Sequence, residues 1–208
     1  MILAGRNKNI NLIFDGNSLI VSSGGNILGG MRTPKTCYDA LIVANRRLAL
    51  CNIGLGGTRT AERTSTFISR LPAQANEGDI VIFWEICNEA HDFTSDTDGT
   101  ALYANVVAYC NQARARGFKV VIMTGIARDY PAFDDANITD RIFACNALIR
   151  ANYTSFADAI ADVALLTPFD AKADTTNTTY YNADRTHLTD TGYDLIAGTV
   201  QTAIETLL

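Results

Sequence analysis

The feature that most constrains the fold is an alternation, along the whole chain, of short apolar segments with longer amphipathic ones. The apolar segments are INLIFDG, ALCNIGLGG, GDIVIFWEI and FKVVIMTG, with AIADVALL as a weaker fifth. Runs of this length, rich in branched and aromatic residues, are typical of buried strands. Strands this apolar need cover on both faces, so the pattern predicts an α/β fold with a mainly parallel central sheet and helices on both sides.

The segments between the predicted strands have apolar residues three or four positions apart. This spacing predicts helices over 36–50, 98–116, 138–151 and 189–208, with a polar helix or loop over 58–71. Residues 173–187 are rich in threonine and asparagine and are expected to form a loop. A length of 208 residues suits one ordinary domain, so we expect a single domain over 1–208.

Composition and charge exclude several classes of function. The net charge of −5 leaves no broad basic surface for a nucleic acid, and no apolar run is long enough to span a membrane. The first ten residues contain no signal-peptide core, and the five cysteines are scattered without zinc-ligand spacing. We therefore expect no metal or other cofactor, and a protein that is cytoplasmic or is released without a signal peptide. The thiols should be free, and Cys51, Cys87 and Cys110 should be buried because they fall in apolar segments. The sequence leaves the oligomeric state open.

Chemistry in open α/β sheets takes place at the carboxyl ends of the strands, which directs attention to the residues that follow each one. Asp15-Gly16-Asn17-Ser18 follows the first strand. A serine at this position can present its hydroxyl as a nucleophile and its N–H to a substrate oxygen. A turn serine that caps the next segment has the same appearance.

The next two strand ends carry glycines and an asparagine. The GLGGT segment after the second strand lets the backbone approach an oxyanion or a phosphate, although it matches neither a P-loop nor a dinucleotide fingerprint and could be a plain flexible turn. Asn88, after the third strand, can donate to an oxyanion and is equally common in turns.

A base for the serine must come from the chain's 2 histidines if it is a histidine. Asp184 lies three residues before His187, close enough to orient its imidazole, whereas His91 has only the adjacent Asp92. His187 is therefore the better candidate. A nucleophile, oxyanion donors and an oriented base, in this order, are what acyl transfer to water requires.

These segments together resemble the sequence blocks of the SGNH (GDSL-type) hydrolase superfamily. FDGNSL is similar to the first block, NIGLGGT to the second, EICNEA to the third and DRTHLTDTGY to the last, so the resemblance covers nearly the whole chain. It implies a three-layer α/β/α, flavodoxin-like fold. It also implies Ser18 as nucleophile, His187 as base and Asp184 as its orienting partner, with Ser18, Gly57 and Asn88 as the oxyanion hole.

The chain departs from the family pattern in the first block and in the third block. Asn17 stands where the first block usually has aspartate, and Ile86 stands where the third block usually has glycine, which brings the aim of Asn88 into question. Glu85 and Glu89 flank the third block and are expected to make the site more acidic. Either Gly56 or Gly57 could be the oxyanion donor, and counting from Asn52 favours Gly57.

The resemblance implies a serine esterase that acts on a small-molecule or glycan ester, with a short acyl group such as acetyl. Asn17, Glu89 and Tyr181 are candidate substrate contacts, and three other loop aromatics, Tyr130, Phe133 and Tyr180, could stack on a sugar ring unless they belong to the core or its rim. The Asn/Thr-rich chain also resembles esterase domains carried by bacteria and phages.

Other functions stay open at this point. The fold could be a binding module without turnover, which the Ile86 departure favours, or an acyltransferase or thioesterase. A phosphotransfer enzyme that uses Asp15 would need a second carboxylate two residues on, where the chain has Asn17.

Overall fold

The structure is a computed structural model that describes residues 9–22, 32–44, 47–62, 64–65, 70–131 and 136–208. Its sheet has five parallel strands in the order β2-β1-β3-β4-β5. The strands are β1 Ile10–Gly16, β2 Leu48–Asn52, β3 Ile80–Trp84, β4 Lys119–Met123 and β5 Ala159–Ala161. The mainly parallel sheet predicted from the apolar runs is confirmed.

Helices cover both sides of this sheet, which gives the expected three-layer α/β/α arrangement. They are α1 Arg32–Ala44, α2 Thr60–Glu62, α3 Glu89–Asp92, α4 Thr100–Ala115, α5 Ile138–Asn152 and α6 Asp190–Glu205, with short 3-10 helices at Tyr153–Ser155, Val163–Leu165, Thr167–Phe169 and Lys172–Thr176. Helix α1 packs against α6, and α4 packs against α5. The apolar face predicted for the last helix is buried as expected.

The close contact between β1 and β3 explains why the chain has a glycine at the end of β1. Gly16 pairs with Trp84 of β3 and has a φ of 151°. A Cβ atom added to Gly16 would lie 2.1 Å from the Trp84 carbonyl oxygen. Only glycine therefore fits where β1 ends and the chain turns toward Ser18.

Three local predictions were wrong. The helix expected over 36–50 is α1 Arg32–Ala44. It ends earlier because residues 48–50 pair with β1 as the start of strand β2 Leu48–Asn52, a strand that was predicted from Ala49 onward. The weak fifth strand keeps only Ala159–Ala161, since the Asp162 side chain binds Arg150 and Thr124 and the chain continues as 3-10 helix. Cys51, expected among the buried thiols, is exposed, while the other four cysteines are buried and all five are free.

Within the described ranges, none of the helices combines the length and the apolar composition that crossing a bilayer requires.

Candidate active site

The structure brings together three side chains that are far apart in the sequence. His187 Nε2 lies 2.9 Å from Ser18 Oγ, and His187 Nδ1 lies 2.6 Å from Asp184 Oδ2. An ionised carboxylate can only accept, so Nδ1 carries the hydrogen and Nε2 is free to accept the serine proton. A serine, a histidine and a carboxylate in this arrangement can act as nucleophile, general base and orienting group.

The turn that carries Ser18 is fixed from below by Asn17. The Asn17 Oδ1 atom accepts from Leu19 N at 2.8 Å, and its Nδ2 donates to Glu85 Oε2 at 2.5 Å. Because Asn17 is only 1% exposed, it cannot touch a substrate in the cleft. Its expected role as a substrate contact is therefore wrong, and its side chain instead connects the backbone after Ser18 to Glu85.

The loop that carries His187 is held by hydrogen bonds of its own. Asp184 Oδ1 accepts from the backbone N–H groups of Thr186 and His187, at 3.0 and 2.9 Å. Arg185 has a φ of 56°, which lets the chain turn tightly enough for these contacts. Thr189 then caps helix α6 by accepting from Gly192 N.

The charge on Asp184 is set by two opposing effects. Burial would raise its pKa, but the hydrogen bonds from the His187 side chain and from two backbone N–H groups outweigh burial, so the pKa lies below the ordinary aspartate value. Asp184 is therefore ionised at neutral pH and stabilises a positive charge on His187.

Two backbone N–H groups, those of Ser18 and Gly57, can donate to a substrate oxygen at the cleft. Neither Ser18 N nor Gly57 N donates to another described residue. Gly57 has a φ of 78° and lines the cleft, while a Cβ atom added to Gly56 would contact Ser18 at 3.7 Å. The loop thus uses Gly56 to approach the serine, which leaves the Gly57 N–H available.

Asn88 supplies a third donor, and its amide is held in one orientation. Its Nδ2 donates to Thr58 O at 3.0 Å, and its Oδ1 accepts from Arg128 Nη1 at 3.0 Å. An amide nitrogen has two hydrogens, so one remains for a substrate oxygen.

The departure at Ile86 is accommodated by a glycine on the neighbouring chain segment. Ile86 is 1% exposed and belongs to the core. A Cβ atom added at Gly125 would come within 3.3 Å of Ile86 Cβ and 2.7 Å of Ile142. The glycine that the family pattern expects at position 86 is thus offset by the glycine at position 125.

Glu85 and Glu89 do not make the site acidic, contrary to the expectation. Both are buried, at 0% and 1% exposure, and Glu89 Oε1 accepts from Ala61 N and Asn105 Nδ2. Burial raises the pKa of Glu89, and burial followed by repulsion from Glu89 raises the pKa of Glu85 well above its usual range. Glu89 is therefore not a substrate contact, because its carboxyl lies beneath the cleft.

The cleft in front of Ser18 has a volume of about 410 Å³. Its described lining residues are Ser18, Gly57, Arg59, Asn88, His91, Arg128, Tyr130 and His187. Tyr181 is absent from this lining, and its assignment to the substrate is wrong, because it is 1% exposed and its hydroxyl donates to Ala127 O. Of the other aromatics, Tyr130 reaches the cleft, Tyr180 packs edge-on against Phe169, and Phe133 lies outside the described residues.

Two cleft residues were missed from the sequence, Arg59 and Arg128. Arg59 follows the glycine block and pairs with Asp92 and Glu62. Arg128 follows strand β4, so the rule on strand ends, applied to that strand as to the others, could have found it.

The alternative chemistries find little support at this site. Asp15 is buried, accepts from Gly16 N and from the Tyr109 hydroxyl, and does not face the cleft as a phosphoryl acceptor must. Among the described residues, no group of three or more His, Cys, Asp or Glu side chains is placed to hold a metal.

Comparisons with known proteins point to one group of folds. The sequence matches no protein-family model and no curated protein. A GDSL-like lipase from Bacteroides thetaiotaomicron is similar in structure, with 19% identity, a TM-score of 0.69, and coverage of 95% of this chain and 89% of that one. The psychrotrophic esterase EstA from Pseudoalteromonas sp. is also similar, with 13% identity, a TM-score of 0.64, and coverage of 95% and 98%.

A member of the lipolytic G-D-S-L family from Veillonella parvula gives the same result, with 14% identity, a TM-score of 0.63, and coverage of 93% and 97%. The likeness extends over nearly the full length of each protein, so it concerns the whole fold and not one motif. The chain has the SGNH (GDSL-type) hydrolase fold.

Proposed function

We propose that residues 1–208 form a serine esterase domain that hydrolyses carboxylic esters through an acyl-enzyme. The observation that carries this proposal is the continuous set of contacts from Asp184 through His187 to Ser18 Oγ, which opens into a cleft. The solved structures with the same fold include proteins described as a lipase and an esterase.

In the first half of the reaction, Ser18 Oγ attacks the ester carbonyl while His187 Nε2 takes its proton. The negative charge that forms on the carbonyl oxygen accepts from the N–H groups of Ser18 and Gly57 and from the Asn88 amide. His187 then gives its proton to the leaving alcohol, and the acyl group stays on Ser18.

In the second half, water takes the place of the alcohol. His187 removes a proton from the water, the acyl-enzyme is hydrolysed, and Ser18 is regenerated. A general base of this kind contributes about 10²–10⁴-fold to the rate. Each oxyanion donor contributes about 10²–10³-fold.

We propose a short acyl group, such as acetyl on a carbohydrate, as the substrate. The cleft of about 410 Å³ is at the small end of ordinary ligand sites, which does not favour a long acyl chain. Tyr130 at its edge offers a ring on which a sugar could stack. The exposed large apolar residues of the described chain, Leu55, Leu165, Leu195 and Leu208, are spread along the sequence, whereas a lipase at an oil interface needs a broad apolar patch.

The test is a panel of 4-nitrophenyl esters of increasing acyl length together with acetylated glycans, assayed on the wild type, Ser18→Ala and Ser155→Ala. Ser155 is an exposed serine in a 3-10 helix, and its substitution controls for the loss of a hydroxyl. We expect turnover that is fastest for acetyl, falls to background in Ser18→Ala, persists in Ser155→Ala and survives chelators. Full activity in a folded Ser18→Ala variant would contradict the proposal.

A further inference from the structure

Arg128 is a buried cleft residue whose charge the proposed reaction does not use. It is 6% exposed and lines the cleft with Ser18 and Asn88. Its Nη1 donates to Cys87 O at 2.7 Å and to Asn88 Oδ1 at 3.0 Å, and its Nε donates to Thr186 Oγ1 at 3.3 Å. The guanidinium is thus held between the oxyanion asparagine and the loop of His187.

The positive charge of Arg128 has no ion-pair partner among the described residues. The Arg59 guanidinium, in contrast, pairs with both Asp92 and Glu62. The positive charge of Arg128 favours the ionised form of the Glu85 carboxyl. Burial outweighs this effect and keeps the pKa of Glu85 raised. Burial and the neighbouring Glu89 carboxyl both disfavour the charged form of Glu85, which weakens it as a counter-charge for Arg128.

One end of the guanidinium is also unused. Nε and Nη1 are occupied, but Nη2 donates to no described residue, although the side chain is more than nine-tenths buried and faces the cleft. An arginine presents its N–H groups as a planar fork, which matches the two oxygens of a carboxylate. The Tyr130 ring, 5.8 Å from Arg128 Cζ, closes one side of this position.

We propose that the cleft selects esters that carry a carboxylate, and that Arg128 binds this carboxylate beside the scissile carbonyl. The inference rests on the proposed esterase function and names the class of substrate for the same site. No carboxylate is found among the described cleft-lining residues, although the chain as a whole has a net charge of −5. An anionic substrate group is thus attracted locally by a protein that repels it elsewhere.

Because Arg128 and the oxyanion share Asn88, the two substrate groups must be close together. A carboxylate a few bonds from the ester fits this requirement, either on the acyl side, as in a dicarboxylic acid half-ester, or on the alcohol side, as in an acetylated uronic acid. Both sources present the same group to the same guanidinium.

The first experiment compares matched pairs of esters on the wild-type protein. The acyl-side pair is mono-4-nitrophenyl glutarate and 4-nitrophenyl valerate, and the alcohol-side pair is acetylated galacturonic acid and acetylated galactose. We expect kcat/KM to favour the anionic member of at least one pair by about 10-fold or more, as a charge-assisted hydrogen bond allows. We also expect added salt to reduce that preference. Equal kcat/KM within both pairs would overturn the inference.

The second experiment compares Arg128→Gln and Arg128→Lys with Arg59→Gln. Arg128→Gln is expected to slow all esters, because Asn88 loses its partner, so the readout is the ratio of anionic to neutral kcat/KM. This ratio should fall to about 1 in Arg128→Gln, be partly kept in Arg128→Lys, and change by less than about 2-fold in Arg59→Gln, whose charge is already paired. A ratio that survives Arg128→Gln would overturn the assignment to Arg128.

The two proposals fail in different ways. If turnover of the neutral esters does not depend on Ser18, the esterase assignment fails. If turnover depends on Ser18 but shows no anionic preference, only the carboxylate inference fails. The wild-type comparison and its salt dependence decide the inference even if Arg128→Gln does not fold.

Discussion

The rim of the cleft, which holds Asp184, and the layer directly beneath it, which holds Asn17 and Glu85, each contain a carboxyl group. The pKa values of these two carboxyl groups are shifted in opposite directions. At the rim, Asp184 is partly exposed, accepts three hydrogen bonds and stays ionised next to His187. In the layer beneath, Glu85 is fully buried and accepts from Asn17, and its pKa is raised. The surroundings of a carboxyl thus decide whether its charged form is favoured, as at Asp184, or disfavoured, as at Glu85.

The side chains proposed to carry out the reaction thus lie at the rim, and the side chains that hold the turn of Ser18 in place lie in the layer beneath. The rim side chains can change charge during a reaction because water and their partners compensate for it. The lower layer fixes the turn of Ser18 through Asn17 without adding charge to the cleft. Substitutions at the rim should therefore change rates, and substitutions in the lower layer should change stability.

The largest expected effect at the rim is that of Asp184→Asn. The amide would leave His187 without the acceptor that sets its tautomer, so kcat should fall by about 10⁴-fold while the melting temperature changes little. Steady-state kinetics on 4-nitrophenyl acetate measures the fall. Asp190→Asn, on the first turn of α6, is the matched control and should keep most of the activity. Similar losses in both variants would mean that Asp184 has no special relation to His187.

The second-largest effect at the rim is expected for Asn88→Ala. It removes one oxyanion donor, so kcat should fall by about 10²–10³-fold with KM largely unchanged. Asn152→Ala, at the exposed end of α5, serves as control. A rise in KM with kcat intact would instead place Asn88 in ground-state binding.

In the lower layer, Gly16→Ala should act on stability. The new methyl group would overlap the Trp84 carbonyl, and the free energy of unfolding should fall by about 3 kcal/mol. Gly198→Ala is the control, because its Cβ atom would meet nothing within 4 Å on helix α6, and it should raise stability by up to about 1 kcal/mol. Urea unfolding of both variants measures the difference, and an unaffected Gly16→Ala would show that the strand end can move.

The smallest effect concerns Glu85 and depends on pH. A carboxyl whose pKa is raised by folding adds stability below its ordinary pKa of 4.5 and loses it as the pH rises through the folded-state value. Wild type should therefore lose stability as the pH rises above about 5, with a slope of at most about 1.4 kcal/mol per pH unit for this one group. Glu85→Gln should flatten this slope, and Glu205→Gln, on the exposed end of α6, should not. Parallel slopes in the wild type and in Glu85→Gln would show that Glu85 is already ionised.

The sequence predicted those parts of the fold and site that depend on local patterns. The five apolar runs fixed the strands, and the strand-end rule selected Ser18, Gly57 and Asn88, which the structure places around one cleft. The three-residue spacing of Asp184 and His187 also corresponds to a direct contact.

The sequence could not predict how deeply the side chains near the site are buried. Asn17, Glu89 and Tyr181 lie next to the expected site in sequence, but their side chains turn into the core. The fit of Ile86 against Gly125 involves the segments that follow β3 and β4, so neither residue alone reveals it. The first predicted helix extends too far, to residue 50. Pairing with β1, which is distant in sequence, makes Leu48 the first residue of strand β2.

The most direct test of the central claim is labelling with a fluorophosphonate probe, followed by intact and peptide mass spectrometry. Only an activated serine reacts readily, so we expect a single adduct, located on Ser18, that disappears in Ser18→Ala and forms far more slowly in His187→Ala. A folded wild-type protein that takes up no probe, or an adduct on any other residue, would show that Ser18 is not the nucleophile.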